Sequence, residues 1–294
     1  MKLPPFTLHR PATVSQACSL LTGLGDEAAA YCGGTELLLA MKMGVAHWPH
    51  LVDVKRVPEL RGISLQHGLL RVGAAATHMQ VERDGLVRDS IPALAELEGN
   101  VANVRVRAAG TLAGNLCFGE PHADPPALLV ALGAQVELSG PAGTRRLPVA
   151  EFLTGAYENA LGPDELLVAI EVPVPSPSVR CAYLNFRTLE RPSAGVAVAG
   201  RVEDGRFQGM PHVVVGAADE VPRPVEANML DGAGSQDAEA FAALAEAAAE
   251  AVDPVDDLSG SAEYKKHLAG VLAKRAALRA LAAGGSGGSS PQAA

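Results

Sequence analysis

Two glycine-centred stretches carry residue types that could hold an anionic ligand. One runs Asn103-Val104-Arg105-Val106-Arg107-Ala108-Ala109-Gly110-Thr111-Leu112-Ala113-Gly114-Asn115-Leu116, followed by Pro121-His122-Ala123-Asp124-Pro125. Glycine lets a backbone approach a ligand closely. Thr111 and Asn115 can bond their own backbone or a ligand's oxygens. The stretch reads as a strand running into a turn whose successive N–H groups can converge on a phosphate. An ordinary glycine turn in a β-rich domain would use the same residues. The other stretch, residues 28–39, reads as a short apolar run, a Gly33-Gly34 turn and then a helix. Thr35 is its candidate cap, and residues 37–43 supply an apolar helical face. Free N–H groups at a helix start suit a pyrophosphate. Neither stretch is a Gly-x-Gly-x-x-Gly fingerprint or a Walker loop. Dinucleotide binding here needs another architecture.

The remaining reactive side chains form no constellation. The cysteines Cys18, Cys32, Cys117 and Cys181 are scattered, with no Cys-x-x-Cys pair and no His at metal-ligand spacing. Grouped thiolates would be needed for an iron–sulfur cluster, so the expectation is free thiols and no metal. Cys32 and Cys117 stand apart because each sits beside a glycine turn. His78, His122 and His212 read as structural, and His9, His47, His50 and His67 form no ligand set. Arg105 and Arg107 read as a solvated strand edge rather than phosphate ligands. No Ser-His-Asp or Cys-His arrangement offers a nucleophile, so no catalytic residue is expected on this chain.

The elements that position these residues follow from local signals. Thr13-Val14-Ser15-Gln16 and Thr77-His78-Met79-Gln80 are capping boxes that each open a helix. The first helix ends at Gly23 and Gly25. A strand, the Gly-Gly turn, a helix to Met43 and a strand at 51–54 make a β–turn–α–β unit. Further strands are expected at 69–75, 134–138 and 166–174, with helices at 91–97 and 126–132. Three prolines in residues 173–177 mark a linker. Beyond it, strands at 180–187, 195–202 and 213–215 and helices at 238–252 and 262–281 read as an antiparallel sheet covered by helices. Asp204-Gly205 is a hairpin turn. In the last helix Tyr264, Leu268, Val271 and Leu278 share one face, with Lys265, Lys274 and Arg275 elsewhere. The expected division is a domain over 1–174, with subdomains of about 1–55 and 56–174, a second domain over 178–283, and a flexible tail over 284–294.

The chain has 294 residues and a formal charge of −9. Its length suits two domains, and the acidic balance argues against nucleic acid as a partner. There is no 18-residue apolar run, so no transmembrane segment is expected. The start lacks a signal pattern, which leads to an expectation of a cytoplasmic protein.

Taken together, Cys-Gly-Gly-Thr-Glu-Leu at 32–37, Thr-Leu-Ala-Gly-Asn-Leu at 111–116 and His-Ala-Asp-Pro at 122–125 resemble the FAD-binding (medium) subunits of the molybdenum hydroxylases. This is the family of the carbon monoxide dehydrogenase medium subunit and the xanthine dehydrogenase flavin domain. The resemblance continues through residues 165–173 and 260–268, in family order. It implies an α+β chain: a two-subdomain FAD-binding fold of the vanillyl-alcohol-oxidase (PCMH) type, then an antiparallel sheet with helices. It implies FAD as the cofactor. Cys32, Gly33, Gly34, Thr35, Glu36 and Leu37 match the first motif and would cradle the pyrophosphate. Thr111, Ala113, Gly114 and Asn115 match the second, with Ala113 where the family usually has Gly. Asp124 matches an acid that contacts the flavin nucleotide, and Leu167 matches a position whose backbone lies near the flavin. Asn185 falls where several relatives carry a lysine near the ring. Arg191-Pro192-Ser193 replaces an acidic-aromatic pair, which leaves the aromatic neighbour of the ring unnamed.

The resemblance further implies an electron-transfer subunit that never touches the substrate. A large molybdenum-cofactor subunit and a small [2Fe-2S] subunit would be its partners, as a dimer of heterotrimers. The flavin would pass electrons to NAD, a quinone, dioxygen or another acceptor. The clustered cysteines of the relative with an extra iron–sulfur cluster are absent. Two alternatives are a stand-alone FAD oxidoreductase and a flavin-free scaffold. The chain beyond Pro177 is short for the first, and the intact glycine pairs argue against the second.

Overall fold

The computed structural model describes residues 2–188 and 190–283. The expected tail over 284–294 lies outside the described residues. The chain opens with β1 (Thr7–His9), α1 (Val14–Leu24), β2 (Ala28–Tyr31), α2 (Leu37–Met43) and β3 (His50–Asp53). The strands form a parallel sheet in the order β1-β3-β2. Parallel neighbours cannot be joined by a tight turn, and α1 and α2 provide the long connections. Thr13 caps α1 by accepting the Gln16 N–H at 3.1 Å. Gly25, with φ of +53°, ends it, so Gly23 lies inside the helix rather than at its end.

A second unit begins with the hairpin of β4 (Ile63–Gln66) and β5 (Leu69–Gly73). Five short helices follow in a row: α3 (His78–Arg83), α4 (Gly85–Ser90), α5 (Pro92–Asn100), α6 (Val104–Ala109) and α7 (Leu112–Phe118). Next come α8 (Pro125–Ala131), β6 (Gln135–Gly140), β7 (Gly143–Pro148), α9 (Val149–Phe152), a small hairpin of β8 (Leu153–Gly155) and β9 (Glu158–Asn159), and β10 (Leu166–Pro173). The sheet is antiparallel in the order β4-β5-β10-β6-β7. The expected strand at 103–106 is instead α6. Asn103 Oδ1 takes the N–H groups of Arg105 and Val106, at 2.9 and 3.2 Å. That side-chain cap starts a helix, and Val104 is left exposed.

The remainder is β11 (Val179–Phe186), β12 (Ala194–Glu203), β13 (Arg206–Phe207), β14 (His212–Gly216), β15 (Arg223–Val225), α10 (Ala238–Glu250) and α11 (Ala262–Ala282). An antiparallel sheet runs β11-β12-β14-β15, and β13 folds back on β12. The fold class is thus α+β. The β12–β13 turn is Asp204-Gly205, both with positive φ, as a two-residue hairpin requires. Residues alternate faces along a strand. On β11, Ala182, Leu184 and Phe186 join the core under α10 and α11, whereas Cys181 and Tyr183 pack with the core of the first 174 residues.

The buried face of α11 differs from the expected one. Its buried stripe is Leu268, Ala269, Leu272, Ala273, Ala276 and Ala280, while Tyr264 is exposed. Periodicity of large side chains marked the wrong face because small residues carry this contact: they let helices and sheet approach closely. Lys265, expected off the apolar face, is buried. Its ammonium donates to the Val255 carbonyl at 2.9 Å and pairs with Asp257 at 2.6 Å.

Gly270 is where α11 meets α10 most closely. A Cβ there would fall 2.7 Å from the Ala245 carbonyl oxygen. Gly270→Ala should therefore destabilise the chain by about 1–2 kcal/mol, since overpacking outweighs the gain in helix propensity. Urea unfolding checks the sign.

Candidate functional site

The two glycine stretches meet. The turn after β2 packs against the end of α6 with no room for a side chain. A Cβ on Gly33 would lie 2.4 Å from the Ala109 carbonyl oxygen and 2.7 Å from the Gly110 Cα. Gly34 has φ of +70°, and a Cβ there would strike the Tyr31 ring. Thr35 does not cap α2; no side chain caps that helix. Its Oγ1 lies 3.3 Å from the Cβ position of Gly110, so it packs one turn on the other. Among the described residues, no acceptor takes the N–H groups of Gly33, Gly34, Thr35, Glu36 or Leu37.

The second turn is held from both sides. Thr111 Oγ1 caps α7 by accepting the Gly114 N–H at 2.9 Å. Behind it, the His78 N–H donates to the Gly110 carbonyl at 3.0 Å, and Thr77 bridges Thr111. His78 is locked in turn by Glu98, with Nδ1 2.5 Å from Oε2 and both side chains buried. Arg105 and Arg107 are not in the cleft. Arg107 reaches back to the Val101 carbonyl and to Glu82, so both arginines lie on helix α6 rather than on a strand edge.

Both turns open onto one cleft of about 460 Å³, a size usual for cofactor sites. Cys32, Gly33, Gly34, Thr35, Glu36, Leu37, Thr111, Ala113, Gly114, Asn115, Asp124 and Leu167 all line it. Leu167 arrives on β10 beside a register shift between Leu167 and Ala169, a bulge of the kind that re-aims side chains next to sites. Asn185 does not line the cleft. Its amide donates instead to Asp124 Oδ1, at 2.6 Å. Tyr183 donates to the same oxygen at 2.7 Å. Asp124 stands at the start of α8 but makes no cap bond. It is buried, and burial raises its pKa above the ordinary 3.8 despite the two donors.

Several lining residues had no sequence signal. Trp48 and Phe118 are the aromatic side chains on the wall among the described residues. Arg191, in the segment that departs from the family pattern, lines the mouth and pairs with both Glu36 and Glu120. Burial pushes the Glu120 carboxyl up, but hydrogen bonding from His122 and the Arg191 charge outweigh it and leave the pKa below its usual range. His122 bridges Glu120 at 3.3 Å and Asp257 at 3.1 Å. Burial raises the thiols of Cys32 to about 11 and Cys117 to about 12, so both stay protonated near neutral pH and serve as apolar wall. Among the described residues no cluster of His, Cys, Asp or Glu could hold a metal ion, and no helix is long and apolar enough to cross a membrane.

The donor set fits a flavin dinucleotide. Free N–H groups at the first turn suit its phosphates. Asn115 Oδ1 is buried without a partner, an acceptor suited to a ligand hydroxyl.

Comparison with known proteins agrees. Residues 4–175 match the FAD binding domain in molybdopterin dehydrogenase, and residues 189–280 match the CO dehydrogenase flavoprotein C-terminal domain. The carbon monoxide dehydrogenase medium chain of Hydrogenophaga pseudoflava is 34% identical over 280 residues, covering 93% of this chain and 96% of that one. The xanthine dehydrogenase FAD-binding subunit of Escherichia coli O157:H7 is 29% identical over 286 residues, covering 94% and 96%. The structure of carbon monoxide dehydrogenase from Hydrogenophaga pseudoflava, lacking the Mo-pyranopterin moiety, superposes with a TM-score of 0.91 over 96% of this chain and 99% of that one, at 34% identity. That of quinoline 2-oxidoreductase from Pseudomonas putida 86 does so with the same score and coverage at 29% identity.

Two substitutions probe this geometry. Gly33→Ala pushes a methyl into backbone that cannot rotate away, so it should cost about 2–3 kcal/mol and empty the chain of flavin; thermal melts and bound-flavin absorbance report both. Asp124→Asn keeps an oxygen for Tyr183 and Asn185 but removes the buried charge. The folded carboxyl holds its proton above pH 3.8, so its ionisation costs stability as pH rises through the raised pKa. The Asn variant loses that decline, and the apo chain should melt higher than wild type at neutral pH, with the difference shrinking as pH falls towards 4.

Proposed function

The chain belongs to the family of FAD-binding subunits of molybdopterin dehydrogenases, and from that premise we propose how its residues hold the flavin and what it serves. It is the FAD-carrying, electron-transferring component of a multi-subunit molybdenum-dependent dehydrogenase. The observation that carries the site assignment is the convergence of both glycine turns on one cleft, with unused N–H groups at the first.

In this reading the N–H groups of residues 33–37 receive the pyrophosphate. Thr111, Gly114 and Asn115 meet the phosphate and ribityl groups, with Ala113 packed beneath them. Asp124 accepts a hydroxyl or N–H donor, and Leu166 and Leu167 cover an apolar edge. A bound flavin supplies the exchange between one- and two-electron carriers. The protein binds it, orients it and excludes water; no side chain is required as nucleophile or base. The division into 1–174 and 178–283 belongs to this proposal and is supported by two separate hydrophobic cores.

The partners we propose are a large molybdenum-cofactor subunit and a small [2Fe-2S] subunit, assembled as a dimer of heterotrimers in the cytoplasm. The external acceptor is NAD, a quinone, dioxygen or another carrier. The names of the relatives, a medium chain and an FAD-binding subunit, support a multi-subunit setting.

Purification of the complex through this subunit from its native host tests the reading. Flavin absorbance at one flavin per chain together with molybdenum and iron is the expected result. Flavin without either metal would indicate a stand-alone flavoprotein, and a folded chain without flavin would sink the cofactor assignment.

A further inference from the structure

Asp124 is reached by two side chains from the far side of the linker. Tyr183 and Asn185 are two residues apart on β11, so they point to the same face of the sheet. That face packs towards α8, and Asp124 sits at the start of α8. Both donors converge on Oδ1, at 2.7 and 2.6 Å. Among the described residues Oδ2 has no partner, although the buried carboxylate lines the cleft.

The neighbouring strand has made room for this arrangement. A Cβ on Gly195 of β12 would stand 2.1 Å from the Tyr183 hydroxyl oxygen and 2.8 Å from Cζ. Any side chain at 195 would evict the hydroxyl. The space for the tyrosine, its bond to Asp124 and the lining of the cleft form one continuous set of contacts.

We propose that Tyr183 is a positioning residue of the flavin cleft: its hydroxyl, seated over Gly195, fixes Asp124 through Oδ1 and so presents Oδ2 to a hydroxyl or N–H donor of the cofactor. The second domain thereby sets the geometry of a ligand that the first domain binds. Asn185 shares the task but is not sufficient alone, because a single bond to Oδ1 leaves the carboxylate free to rotate about it. Burial and the adjacent carboxylate push the tyrosine's pKa well above its ordinary range, so it remains a donor. The inference rests on the flavin reading given above.

The test is a double-mutant cycle on the full chain. FAD affinity of the apoprotein is measured by quenching of flavin fluorescence for wild type, Tyr183→Phe, Asp124→Ala and the double variant. The flavin midpoint potential is measured for each. Tyr183→Phe should weaken FAD about tenfold, the value of one hydrogen bond to a charged group, and should shift the potential. In the Asp124→Ala background, which removes the acceptor itself, the same substitution should change neither. Gly195→Ala, which displaces the hydroxyl from the opposite side, should reproduce the weakening and covers the case in which Tyr183→Phe folds poorly. Equal losses in both backgrounds, or wild-type affinity in folded Tyr183→Phe, would overturn the proposal. Wild-type chain that takes up no FAD at all would overturn the flavin reading itself, which is a separate and distinguishable failure.

Discussion

The cleft depends on one contact between two pieces of backbone. Gly33 approaches Ala109 and Gly110 so closely that no Cβ could stand between them. Interiors are packed as densely as crystals, so this approach cannot be relaxed by small shifts of neighbouring side chains. It sets the distance between the turn after β2 and the start of α7. Everything else at the site is arranged to hold those two turns: Thr35 lies on Gly110, His78 holds the Gly110 carbonyl, and Glu98 holds His78. The buried imidazole–carboxylate pair stands directly behind the second turn. It makes the second turn rigid, because breaking one member would strand the other in the core.

The part of the chain beyond the prolines is more than an appendage. Its contributions fall around the rim of the cleft: Tyr183 and Asn185 on Asp124, Arg191 on Glu36 and Glu120, and Asp257 on His122. Polar contacts at this boundary join loops that a linker of prolines would otherwise leave independent. Arg191 is half-exposed and its pairs are worth little in stability. Their effect is local, drawing two carboxylates of the cleft wall towards one guanidinium.

Much of the fold was legible. The Thr13 cap and the Thr77 capping box, the βαβ unit and the antiparallel second half all follow from local signals that tertiary contacts reinforce. The failures have one kind of cause. Ahead of the second glycine turn the expected strand lost to the Asn103 cap, because a short helix is decided by its terminal hydrogen bonds more than by its interior. On α11 the eye follows large apolar residues, whereas the contact is made by alanines and Gly270. The burial of Lys265 was not legible because its partner, Asp257, lies in a loop that no pattern places beside it.

The sequence by itself determined which residues could meet a dinucleotide: the glycine pairs, Thr111, Asn115 and Asp124 carry their chemistry and backbone freedom wherever they stand. Family resemblance rested on those same residues. Only the tertiary structure decided that the two turns touch, that Tyr183 and Asn185 both bond Asp124, and that Trp48 and Arg191 line the cleft. The reason is physical. Backbone conformation and side-chain chemistry are local properties, written in each residue and its near neighbours. A distance between Tyr183 and Asp124, or between Gly33 and Gly110, is set by how whole sheets and helices pack, and no short stretch of sequence contains it.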